Sequence, residues 1–461
     1  MKHTASRLLA AISVLAALAA AAASTRPHYG GTLRVELQAP ASAEDLARDE
    51  LAAVAPWIFD GLVRLDPNGR VDPALAVSWE HDPRGMRWTF KLRSGVKWHD
   101  GAPLSADQVA ATLAGCLPGG QFAATGDAVE ITVELPTDAL PMLLATSPAC
   151  LIRRSPVPGT TEAPSGTGAF RLRDWQPGHS AVLQANDEYW DGRPYVDRLD
   201  VVLNRSSRDE LLDLELDRAD IVELDPTEAR RAQQENKTVW VSAPNQLLAI
   251  QFSPSPAHAE ERGLRQALSL SVDRASIQKV LLQNFGESTG SLFPSWVSGY
   301  AFLFPARIDL AQARKLVSDA GRAAMWRVGY NSGDALTHVV AERVALNAHE
   351  VGLQIQVVAL GANPPRAGEV AEARLVRYRI EGPTLERAAA EAAEAMGFPG
   401  PHEPQPEKVY EGEKAFLEAG EVVPIAYVSE LIGLSSRVRN WSPRRWGALN
   451  LSEVWVAPSK P

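Results

Sequence analysis

His99 and Asp100 stand side by side in WTFKLRSGVKWHDGAPLSADQV (88–109), between two tryptophans and a proline, and are the residue types of a general acid–base pair. Adjacent residues do not aim both side chains at one substrate. His99-Asp100-Gly101 instead has the composition of a turn, and Ser105 with Gln108 three residues on has the form of a capping box that starts a helix through Val109 and Leu113. Framework is expected here.

A second candidate is GESTG (286–290), which spells the G-x-S-x-G nucleophile elbow. That elbow needs a strand before it and a helix after it. A helical stretch precedes this one and SLFPSW follows, so no serine nucleophile is expected. The nine histidines are scattered, with no H-x-x-x-H and no His/Cys pairing, and GTG (166–168) lacks the further glycine or Lys-Ser/Thr ending of a phosphate loop. Neither a metal site nor a cofactor is expected. Only Cys116 and Cys150 are present, which leaves one disulfide or two separate buried thiols as alternatives.

The amino terminus carries Lys2 and Arg7 and then an uncharged, alanine-dominated run from Leu8 to Ala23. This reads as a secretory leader, residues 1–23, with cleavage near Ala23; no cysteine lies there, so a lipid anchor is not expected. The formal charge of −10 becomes two units more negative when Lys2 and Arg7 leave with it. An acidic surface of that kind does not attract phosphate backbones, and nucleic acid is not expected as a partner. The length of 461 residues exceeds what one hydrophobic core supports.

The elements follow from apolar spacing. GGTLRVEL, from Gly30, alternates as a first strand, a helical stretch through Ile58 follows, and LVRLDPNGRV reads as two short strands about a turn. Trp88, Phe90 and Leu92 form one face of a strand, and Val96 and Trp98, resuming after Ser94-Gly95, suggest a hairpin with it. From Gly166 three strands are broken at QPGH and DGRP, and LLDLELDRADIVEL reads as a helix. A strand begins near Gln246, RGLRQALSLSVDRASIQKVLLQNFG is helical, and a further helix covers Leu310 to Ala320. MWRVGYNSGD and AERVALNAHEVGLQIQVVAL read strand, helix, strand, a βαβ unit with a parallel pair. ERAAAEAAEAMG reads as a solvated helix and GFPGPHEPQPE as a proline-rich loop.

Taken in order, GGTLRVEL, IFDGLVRLDPNGRVDPALAVSWE, WTFKLRSGVKWHDGAPLSADQV, GTGAFRLRDWQPGHSAVLQANDEYWDGRP, LDLELDRADIVEL, LRQALSLSVDRASIQKVLL and DLAQARKLVSDAG resemble the family 5 extracellular solute-binding proteins of ABC importers, the dipeptide, oligopeptide and nickel binders. The resemblance runs from Gly30 to about Leu360. It implies an α/β, two-lobed periplasmic-binding-protein-like fold of type II. Residues 27–245 plus 426–461 would form lobe I, with a subdomain inserted near 56–166, and 246–425 would form lobe II. It also implies a monomer without enzymatic activity, located in the periplasm, whose partners are a small-molecule or peptide ligand and a membrane permease. A metal chelate, a sugar, or a sensor or scaffold role without import are the alternatives.

After Leu360 the likeness ends. Peptide-binding relatives usually continue with a strand, a Trp and an aspartate-rich turn that meets the peptide's amine. Here ARLVRYRIEGPTLERAAAEAAEAMG stands, no Trp occurs between Trp326 and Trp441, and no Asp follows Asp334. A buried amine needs a compensating charge, so Glu381, directly after RYRI, is the candidate cation partner. By the implied lobe map Asn245, Trp296, Gly166 and Gly168 are the other candidate ligand contacts. The tryptophans, mostly on alternating strand positions, are expected in the core.

Overall fold

The computed structural model describes residues 27–38, 51–117, 119–134, 137, 139–154, 164–253, 259–321, 325–361, 370–380, 382–400, 405–442 and 449–458. The expected leader and Glu381 lie outside the described residues. Among the described residues no helix is long and apolar enough to cross a membrane.

Two large mixed sheets organise the chain. The first has seven strands in the order Thr238–Val241, Leu431–Leu434, Ile221–Glu223, Thr32–Leu37, Arg198–Leu203, Ser180–Ala185 and Phe170–Gln176. The expected first strand lies inside it, parallel to both Arg198–Leu203 and Ile221–Glu223. Its alternation buries Leu33 and Val35 completely, in a core shared with Phe170, Leu183, Leu199 and Ile221. The second sheet has six strands in the order Gly286–Ser288, Val422–Val428, Gln246–Phe252, Ala373–Arg379, Met325–Asn331 and Gln354–Leu360. The expected βαβ unit is there: Met325–Asn331 and Gln354–Leu360 pair in parallel, joined by the helix Ala335–Glu350.

Gln246–Phe252 reads QLLAIQF, a nearly unbroken apolar run, because both its faces are covered. Leu248 and Ile250 face one core with Leu264, Leu268, Val340 and Val344, whereas Leu247 and Ala249 face another with Phe293, Phe398 and Tyr427. These two cores, one on each face, fix the strand's register, since a slip by one residue would exchange them.

The smaller inserted unit is a four-stranded antiparallel sheet, Ala76–His81, Arg87–Leu92, Ala128–Thr132 and Gln121–Thr125. Trp88 and Phe90 are buried in its core, with Trp98 and Leu113. The capping box is present: Gln108 donates its backbone N–H to Ser105 Oγ and accepts the Ser105 N–H. Cys116 and Cys150, both buried, are joined as a disulfide.

Three expectations are corrected. Arg87–Leu92 does not form a hairpin with Val96 and Trp98; it pairs with Ala76–His81 and Ala128–Thr132. The residues after Gly95 turn instead onto Ala102 and Leu104, through Trp98 N–H to Ala102 O at 2.8 Å and Leu104 N–H to Val96 O at 2.9 Å. LLDLELDRADIVEL is helical only through Glu215, where Ser207–Glu215 ends; Asp217 takes φ 54°, and the β-branched Ile221 and Val222 enter the sheet as a strand. The helix Leu385–Met396 is not solvated all round, since Ala388, Ala389, Ala392 and Met396 are buried against the second sheet. Alanine's small side chain lets the backbone lie close to that sheet, and the one buried acid on that face, Glu391, accepts from Arg387 Nε at 2.9 Å.

The disulfide closes a loop of 34 residues inside the four-stranded unit. Loop-closure entropy at that length stabilises by about 3–4 kcal/mol. Replacing both cysteines by alanine should lower the urea midpoint accordingly, and a midpoint unchanged from wild type would show that the bridge carries no stability.

Candidate ligand-binding cleft

The chain passes between the two sheets twice, at 242–245 and at 429–430, and the two passages bind each other. Ser242 N–H donates to Glu430 O at 3.0 Å, and Glu430 N–H donates back to Ser242 Oγ at 2.8 Å. Asn245 N–H donates to Val428 O at 3.1 Å, and Ile380 N–H to Asn245 O at 2.9 Å. The Glu430 carboxylate then gathers Arg379 at 2.7 Å, Asn245 Nδ2 at 3.3 Å and Gln246 Nε2 at 3.5 Å.

Ligands of open α/β sheets lie beyond the carboxyl ends of the strands. On the second sheet that edge holds Arg377 and Arg379, at the end of Ala373–Arg379, with Asp334 at the start of the adjoining helix. Arg377 donates to Gln246 Oε1 and lies 3.6 Å from Asp334. On the first sheet the edge holds Glu36, Glu223 and Asp225. Glu223 Oε2 accepts Gln38 N–H at 2.7 Å, and Asp225 N–H donates to Ser207 Oγ at 2.7 Å. Burial pushes the Glu223 carboxyl up to about 7, an effect that Glu430 reinforces and that Arg377 and Arg379, reaching across from the other sheet, oppose. Asp225 is pushed up to about 6 for the same first reason, again against the field of Arg377.

Asn245 and Trp296 come together at this passage. Asn245 is buried, with Oδ1 unpaired, and Trp296 Nε1 donates to Pro244 O at 3.0 Å. Gly166 and Gly168 belong to another neighbourhood. A Cβ on Gly166 would meet Ile58 O at 2.0 Å, and one on Gly168 would meet the Ile58 carbonyl at 2.6 Å, so close backbone approach accounts for both glycines. Asp60 fixes the same joint by accepting Thr167 Oγ1 at 2.8 Å, Trp190 Nε1 at 2.9 Å and Tyr189 OH at 3.1 Å.

His99 is part of that joint and not of a catalytic pair. Its Nε2 donates to Gly168 O at 3.0 Å, Nδ1 accepts Gly166 N–H at 3.4 Å, and burial pushes the imidazole down to about 4, so it stays neutral. Asp100 accepts Ala102 N–H at 3.0 Å and pairs with Arg154. Ser288 of GESTG lies in a strand, with no strained turn. Among the described residues no group of three or more His, Cys, Asp or Glu side chains is arranged to hold a metal ion. A surface groove of about 620 Å³, lined by Lys91, Arg93, Gly95, Asp127 and Trp190, lies on the inserted unit, and none of its lining residues belongs to the passages.

Glu223, Asp225, Glu430 and Arg379 were not among the sequence candidates. A lone acid or arginine at the end of an apolar strand resembles a solvated residue. The signal that was present is the position itself, directly after the buried pairs Ile221-Val222 and Val428-Ser429.

Two sheets joined by two crossing segments, with polar strand ends facing each other, define a two-lobed periplasmic-binding-protein fold of type II. A DppA structure from Helicobacter pylori in complex with the peptide STSA superposes with a TM-score of 0.79 at 18% identity, over 94% of this chain and 99% of that one. The family model "Bacterial extracellular solute-binding proteins, family 5 Middle" matches residues 70–374, and the chain belongs to that family. The nickel-binding periplasmic protein of Escherichia coli K12 is 23% identical over 343 residues, 65% of each chain. The oligopeptide-binding protein AppA of Bacillus subtilis 168 is 23% identical over 331 residues, 64% of this chain and 60% of that one. The chain thus spans somewhat under two thirds of the length of these two relatives.

Gly168→Ala should destabilise the protein by about 2 kcal/mol or more, because the backbone of 57–58 has no flexible end to yield. Chemical denaturation checks this, and a variant as stable as wild type would show that the approach is slack.

Proposed function

We propose that the protein is the periplasmic substrate-binding component of an ABC-type importer, which captures a small, peptide-like solute between its lobes and delivers it to a membrane permease. The observation that carries this reading is the pair of crossing segments at 242–245 and 429–430, a hinge flanked by two charged strand ends. A solute that touches both edges does so only when the lobes are closed, so it shifts the open–closed equilibrium, and the permease reads the closed form. No covalent step is needed, and the polar groups at the edges are arranged for binding. The uncharged run after Lys2 and Arg7 supports export through a cleavable leader, and the acidic composition supports a monomer that does not bind nucleic acid.

Asn245, Trp296 and Glu381 are the proposed ligand contacts, while Gly166 and Gly168 are proposed to support the joint with 57–58 and not to touch the solute. Protein purified from the periplasm should carry a small molecule in native mass spectrometry. That molecule, added back after refolding, should raise the melting temperature and reduce the radius of gyration in solution scattering. Absence of any co-purifying solute, together with an unchanged radius across peptide, sugar and metal-chelate panels, would overturn the receptor reading.

A further inference from the structure

The groove of about 620 Å³ on the inserted unit has a volume within the range of small-molecule sites. Its walls come from two parts of the fold. Val77, the stretch 91–95 and Asp127 belong to the inserted unit, and Trp190 belongs to the connection between the first-sheet strands Ser180–Ala185 and Arg198–Leu203. The chain as a whole carries a formal charge of −10, yet the groove is lined by two cations, Lys91 and Arg93, against one acid, Asp127. It is a local reversal of sign.

Arg93 is held in place on two sides. Its Cζ lies 4.5 Å from the centroid of the Trp190 ring, and its Nε donates to Ala74 O at 3.1 Å. Trp190 is fixed in turn, since its Nε1 donates to Asp60 at 2.9 Å. Arg64 also lies over this ring, at 5.6 Å, but its charge is met by Asp191 at 2.6 Å. Arg93 differs: among the described residues it has no acidic partner, and its two terminal nitrogens make no hydrogen bond. Joining the inserted unit to the first sheet accounts for the stacking of both arginines on Trp190. It leaves the charge and the outer edge of Arg93 unused.

A guanidinium held by its face and its Nε presents that edge as a fixed pair of donors, which matches the two oxygens of a carboxylate or phosphate. Lys91 and Arg93, two positions apart at the end of Arg87–Leu92, leave the chain on the same side, opposite the buried Leu92. Asp127 lies 3.9 Å from Lys91, with the two side chains 75% and 61% exposed, so that pair is weak. Because the acid stands beside Lys91, the head group of an anion belongs at Arg93. Val77, 37% exposed, and the Trp190 ring supply apolar surface next to it.

We propose that this groove is a second ligand site, separate from the cleft, for a small organic anion: a carboxylate or phosphate head on the Arg93 fork, and an apolar or aromatic body along Val77 and Trp190. The site does not rest on the receptor reading, because none of its residues belongs to the crossings at 242–245 and 429–430. An anion bound there touches both the inserted unit and the Trp190 connection, so it ties the two together and stabilises the fold without moving one large sheet against the other.

The test uses full-length protein with calorimetry and thermal shift against phenylacetate and phenyl phosphate, with acetate, benzyl alcohol and phenethylamine as counterparts lacking the body, the charge or its sign. Phenylacetate or phenyl phosphate should bind at least about tenfold more tightly than any of the three counterparts, and the tighter of the two identifies the head group. Arg93→Gln should weaken that binding about tenfold or more, and Arg93→Lys should recover only part of the loss, since a point charge does not replace the fork. Lys91→Gln, at an exposed side chain, should weaken it about threefold and tests the site even where the Arg93 variants disturb the fold. Lys97→Gln, whose side chain pairs with Glu188 and does not line the groove, should bind as wild type does. The radius of gyration should stay constant as the groove fills. The inference is overturned if neither anion binds, if benzyl alcohol or phenethylamine binds as tightly, or if affinity is unchanged in both Arg93→Gln and Lys91→Gln. A radius that shrinks on binding would place the anion in the cleft and overturn it as well. The receptor reading stands or falls on the co-purified solute and is untouched by these outcomes.

Discussion

The Glu430 carboxylate and the backbone around it are the constraint on which the two-lobed arrangement depends. The chain crosses between the two large sheets at only two described places, and both crossings meet there, through Ser242, Asn245, Gln246 and Arg379. Backbone donors at such a crossing have left one sheet and not yet entered the next. They would be orphaned without the reciprocal Ser242–Glu430 pair, and a buried unpaired donor costs about 1–3 kcal/mol. On the proposed receptor reading the two adjacent crossings serve as the axis, since rotation about the paired segments would break neither sheet.

The packing on either side of the crossings is tight. Leu247 and Leu248 commit neighbouring positions of one strand to different cores, and the strand begins at Gln246, which meets Glu430. On the other side Asp60 joins Thr167, Tyr189 and Trp190, while Gly166 and Gly168 admit the backbone of 57–58, so the inserted unit is held to the first sheet by contacts that tolerate little displacement. Stiff bodies about a narrow axis turn a small contact in the cleft into a whole-domain movement.

Much of this frame was legible because apolar spacing has only two periods to choose between. Leu33, Val35 and Leu37 announce a strand, Ser105 and Gln108 announce a capped helix, and MWRVGYNSGD with the helix after it announces a parallel pair; all three are present. The errors have physical causes. In LLDLELDRADIVEL helix and strand periods overlap over a few residues, and only the left-handed turn at Asp217 separates them. Val96 and Trp98 alternate as strand residues do, but their partners are Ala102 and Leu104, a choice made by chain reversal at Gly101 and not by pattern. At the cleft, Asn245 was legible as the last residue before a buried strand. Glu223 was not, because burial of a strand-end acid depends on what lies across from it.

The polarity of the cleft follows from the same strand ends. Where the family resemblance leads to an aspartate-rich turn in peptide binders, this chain places Arg377 and Arg379, and it gathers its acids on the first lobe. The arginines sit within Coulombic reach of Glu223 and Asp225 across the cleft. Opposite charges therefore already face each other across the strand ends before any solute is counted. A solute shifts the equilibrium only by the difference in its affinity for the two states. On the proposed receptor reading, a solute that favours the closed form must offset the attraction that Arg377 and Arg379 already exert on the first sheet's acids.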